Sequence, residues 1–112
     1  DPWPRSLIDD LVTIHFVHRG CGVAIAVLAL AQLAVRFARP TSRARRRAAL
    51  AVASAALTTA GLGIATVLTG VSTVPAAAHQ LSALLLFACA IVSLHVALQG
   101  GPETQSAHPA SR

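Results

Sequence analysis

Few side chains in this sequence can ligate a metal or carry a proton, and they are unevenly placed. Of five histidines, His15, His18, His79 and His95 sit within apolar stretches, while His108 lies near the C-terminus. No Asp or Glu occurs between Asp10 and Glu103, so no carboxylate lies within the apolar stretches that carry these four histidines. A neutral imidazole offers one lone pair, which suits either ligation of a transition metal or a hydrogen bond to another helix. His15 and His18 are three apart, neighbours on one helix face, and Cys21 three further on is the one residue that extends them toward a zinc or copper site. That donor set is short, and the metal reading of it is weak. His18 is followed by Arg19 and His79 by Gln80.

The elements that must position these groups are membrane spans. Among the 112 residues 54% are hydrophobic and 12% charged, about half the charged quarter usual in soluble domains. A soluble domain and a disordered chain are both excluded on that balance. Three apolar segments are long enough to cross a hydrocarbon core of about 30 Å at about 1.5 Å per residue: roughly 11–35, 48–70 and 76–98. Pro75 precedes the third and suits a first helical turn. The net charge is +5, but six of the nine arginines fall between Arg36 and Arg47, a short connection broken by Pro40, so no spread-out basic face for nucleic acid exists. Such a loop is the positive-inside signal. It orients a multi-pass membrane protein, expected to be of a bacterial plasma membrane, with the N-terminus outside and the Arg-rich loop and C-terminus cytoplasmic. Trp3 then suits an interfacial anchor, Asp9 and Asp10 suit the positive end of the first helix, and residues 99–112 read as a disordered tail after a helical domain of residues 1–98. On the second span, Ser54, Thr58, Gly61 and Ala65 form a small-residue face for packing. Cys21 and Cys89 read as small hydrophobes.

Ionisable groups in a span are costly and mark function by default. His18 lies 18 residues before Arg36 and His79 lies 19 before Leu98, which puts both roughly 27 to 29 Å above the inner boundary. Spans one and three run the same way, so the two imidazoles can face each other near the outer end. Two level histidines among small residues are what six-coordinate heme iron needs. Gly20, Gly22 and Ala26 on the first span, and the face of His79, Ala83, Leu86 and Ala90 on the third, would make room for the macrocycle, with Arg19 beside a propionate. Plainer readings stand beside this one: each histidine bonds a neighbouring helix, Arg19 snorkels to the interface, and His95 serves structure at a helix C-terminus.

The run IHFVHRGCGVAIAVLAL, Ile14 to Leu30, followed by LGIATVLTGVSTVPAAAHQLSALLLF, Leu62 to Phe87, resembles the heme A synthase family of cytochrome oxidase assembly. The likeness lies in a His-Arg pair opening one span, an LGxxTVLT-like end to the next, an outer turn with proline and a His-Gln pair opening the last. It implies an all-α integral membrane fold of eight spans in two four-helix halves, each holding a heme between two histidines. One half oxidises the methyl group of heme O to the formyl group of heme A, and the other binds heme b. By that likeness His18 and His79 would be axial ligands to the iron of heme b. His15 stands where the catalytic half typically has glutamate, which favours the heme b half. With three spans present, the chain resembles the last part of a longer protein, whose partners would be the lipid bilayer and a missing N-terminal half or heme O synthase. The catalytic residues are then unknown and lie elsewhere. Two alternatives remain: a small bis-His membrane cytochrome for electron transfer, and a non-catalytic assembly subunit.

Overall fold

In lipid every main-chain N–H must find its acceptor inside its own segment, so long Ala, Val and Leu runs without interior proline fold as helices. The computed structural model describes residues 11–99 and is all-helical over them. Helix α1 is Leu11–Ala38, α2 is Arg43–Leu68 and α3 is Thr73–Gln99, and each is long and apolar enough to cross a membrane. Trp3, Asp9, Asp10, His108 and the tail lie outside the described residues.

Short turns make neighbours antiparallel. The expected Arg-rich connection of 36–47 shrinks to residues 39–42, because arginine and alanine are good helix formers and Ser42 supplies a cap. Ser42 is extended (φ −64°, ψ 152°) and its hydroxyl accepts from the Arg45 N–H, at 3.4 Å. Arg43 to Arg47 therefore begin α2 rather than a loop. The Arg46 guanidinium sits 4.5 Å over the Phe37 ring, a cation–π contact that ties the end of α1 to the start of α2. At the other end α2 closes in a Schellman turn. The Val71 N–H donates to the Thr66 carbonyl at 2.8 Å and the Gly70 N–H to that of Val67 at 3.2 Å. Gly70 has φ +64°, and Val71 follows at φ +61°, a conformation that costs a β-branched residue free energy. Helix α3 starts at Thr73, so Pro75 falls inside its first turn, where its missing N–H leaves no helical bond unmade.

Helix α2 is central and packs on both neighbours, whereas among the described residues no Cα of α1 comes within 8 Å of one in α3. The close face of α2 consists of Ala49, Val52, Ala53, Ala55 and Ala56. This corrects the face expected from Ser54, Thr58, Gly61 and Ala65. Ser54, Thr58 and Gly61 are exposed, because alanines one helical step round allow an equally close approach without a hydroxyl to satisfy. The three helices meet where Ala29, Val52 and Ala56 pack with Leu86 and Cys89.

Candidate functional site

Because α1 and α3 touch α2 but not each other's backbone, a cleft of about 730 Å³ lies between them. It is bridged at both ends by side chains. At one end the rings of His18 and His79 stand 5.9 Å apart between centroids, edge toward face at 79°. At the other, the Gln32 amide donates to the Ser93 hydroxyl at 3.0 Å, across 61 residues of sequence. His79 is likewise 61 residues after His18. Fourteen residues separate the two rungs on each helix, about 21 Å at the α-helical rise. Fourteen is close to four full turns, so on both helices the rungs share one face.

Between the rungs the walls are small or apolar. Helix α3 contributes Ala83, Leu86 and Ala90, the face expected for it. Helix α1 contributes Gly22, Ile25 and Ala29. Gly22 was expected there, but Gly20 and Ala26 are not among the lining residues. Gly20 is two residues from His18 and points to the far side of the helix, and eight residues, as at Ala26, overshoot two turns. By the shared offset, Gly22 and Ala83 are level, one turn below the histidine rung. That is the narrowest pair of side chains in the cleft, and it sits where a flat group held by the two rings would extend.

The two histidines are held differently. His79 is half-buried and its Nδ1 lies 2.9 Å from the main-chain carbonyl oxygen of Thr59 on α2. A carbonyl only accepts, so Nδ1 carries the proton and Nε2 keeps its lone pair. His18 is exposed, and its ring is the one with room to turn. An imidazole nitrogen binds a transition metal at about 2 Å, so two imidazoles whose ring centres stand 5.9 Å apart would reach one metal atom between them once the His18 ring turned from its edge-to-face position.

Sequence reasoning missed Thr59 and Gly63. The Thr59 contribution is a main-chain oxygen, which any residue type supplies, and Gly63 matters for the space it leaves: a Cβ there would stand 3.1 Å from His79 Cε1. Gln32 and Ser93 were visible as polar residues in apolar runs, but their pairing needed the helix offset. Arg19 is exposed, beside but outside the cleft. Among the described residues no three His, Cys, Asp or Glu side chains are grouped to hold a metal ion; His15 is exposed and does not join His18 and Cys21 in one. His95 Nε2 lies 2.7 Å from Gln99 Nε2 one turn on, away from the cleft.

A family model described as COX15-CtaA, cytochrome oxidase assembly protein, matches residues 1–91. No curated protein and no solved structure matches the chain.

Proposed function

This chain belongs to the COX15-CtaA family of cytochrome oxidase assembly proteins, and from that premise we propose that it holds heme b between His18 and His79 as part of a heme A synthase-like membrane oxidoreductase. The family is that of heme A synthase, an oxidoreductase. The observation that carries the reading is the 5.9 Å separation of two imidazoles that reach across a cleft from helices whose backbones stay apart. Bound there, heme b supplies one-electron redox chemistry. His79 presents an unprotonated Nε2, and His18 turns to oppose it. Gly22 and Ala83 leave the turn beneath open, the apolar walls exclude water, and Arg19 at the cleft mouth offers a guanidinium to a propionate.

No carboxylate lies between residues 11 and 99, so no acidic side chain of the spans is available to move a proton during oxidation of a methyl group. That favours a heme-holding role for this part, with the conversion of heme O to heme A belonging to a companion half. It equally favours, as a second reading, a bis-His cytochrome that only passes electrons. Protein purified from membranes should show a low-spin, bis-imidazole Soret spectrum, and His79→Ala or His18→Ala should each abolish it. An unaltered low-spin spectrum in either variant would sink the assignment. Conversion of heme O on co-expression with a companion half separates the oxidoreductase reading from the electron carrier.

A further inference from the structure

Gly63 lies on α2, one turn after Thr59 and on the same side of the helix. In an α-helix the Thr59 carbonyl accepts the N–H four residues on, that of Gly63, and retains a second lone pair directed outward. A side chain at position 63 would stand over that lone pair. A Cβ placed on Gly63 meets His79 Cε1 at 3.1 Å, Nδ1 at 3.3 Å and Nε2 at 3.8 Å, and nothing else lies nearer. The His79 ring thus rests on the bare backbone of Gly63, which brings Nδ1 to 2.9 Å from the Thr59 oxygen. Gly61 two residues earlier has nothing within 4 Å of the same construction, so a bare backbone in this helix is not in general a contact surface.

We infer that Gly63 and the Thr59 carbonyl form a tautomer lock: together they hold His79 as the Nδ1–H form with Nε2 aimed at the cleft, before any iron is present. The consequence for heme rests on the function proposed above, but the lock itself is a property of the heme-free protein. A ligating histidine whose other nitrogen donates to a carbonyl is the more basic ligand, and loss of such a partner typically weakens metal binding by roughly 10- to 100-fold. Gly63 and Thr59 are positioning residues; neither touches the iron.

The test uses the full chain in lipid bilayers with ¹⁵N-labelled histidine, heme-free and heme-loaded, as wild type, Gly63→Ala and Gly61→Ala. In the heme-free wild type, solid-state NMR should find His79 wholly Nδ1-protonated. Gly63→Ala should convert it to a tautomer mixture, lower heme affinity by about tenfold or more and raise the heme midpoint potential, because a less basic ligand stabilises the ferric state less. Gly61→Ala adds the same methyl group to the same helix and should leave tautomer, affinity and potential unchanged. An Nε2-protonated or mixed His79 in the wild type overturns the lock without reference to any variant, as does an equal effect of the two alanines. A wild type locked as stated that nonetheless takes up no heme would leave the lock standing and remove the proposed function instead.

Discussion

At the scale of single residues the site is asymmetric. His79 is fixed by a main-chain carbonyl, and His18 on the more exposed helix does the adapting. The open turn beneath them is the second requirement, and it can be tested apart from ligation. Gly22→Leu would place an isobutyl group opposite Ala83, where a Cβ on Gly22 meets nothing within 4 Å, so the helix itself is not strained and gains propensity. The expected outcome is normal membrane insertion with heme occupancy reduced at least tenfold, read as the ratio of Soret to protein absorbance. Residue types and spacing made part of this legible. His18 and His79 stood out as level imidazoles, and Gly22 and Ala83 lie four residues from them. The Thr59 oxygen was beyond such reading, since backbone acceptors leave no trace in residue type. Gly20 and Ala26 were misread because proximity in sequence was taken for proximity in angle.

At the scale of elements, the turns set how the helices are phased. The turn between α2 and α3 places two consecutive residues at positive φ, and only Gly70 adopts it without penalty. Gly70→Ala should cost about 1 kcal/mol, and Val71→Asn should gain a similar amount, since asparagine tolerates the left-handed region that a β-branched residue resists. Mixed-micelle unfolding followed by circular dichroism measures both, and a Val71→Asn protein less stable than wild type would contradict the strain. Helix number was plain from the apolar runs, but the helix ends were not. The Arg43 to Arg47 segment was read as loop because hydropathy was the criterion, whereas Ser42 followed by the helix-forming run RARRRAA was already a start signal.

At the scale of the whole molecule, a three-helix unit with α2 in the middle leaves most large apolar side chains facing outward, among them Phe16 at 77%, Leu68 at 81% and Val74 at 79% exposure. Lipid, not water, is the solvent that such a surface fits. Six arginines gather at the end of the unit opposite the histidine rung. Replacing Arg43, Arg45, Arg46 and Arg47 with glutamine should scramble the orientation that a basic loop imposes. A periplasmic-versus-cytoplasmic reporter inserted at Ser72 would read outside in the parent and mixed in the variant; a uniform outside signal in both would show that orientation is set elsewhere. The hydropathy of the chain made the membrane environment legible, but not the separation of α1 from α3, which depends on alanine-sized contacts that only α2 makes.

The two rungs that join α1 to α3 obey one numerical offset, and this makes the pair of helices behave like a vernier. Deleting one residue of α1 between them would turn the upper half against the lower by about 100°, so that satisfying the amide-to-hydroxyl rung swings the imidazole out toward lipid. A matching deletion in α3 would restore the offset yet turn both imidazoles by the same angle off the face they share with the lower rung, so the length of this stretch is fixed on each strip separately.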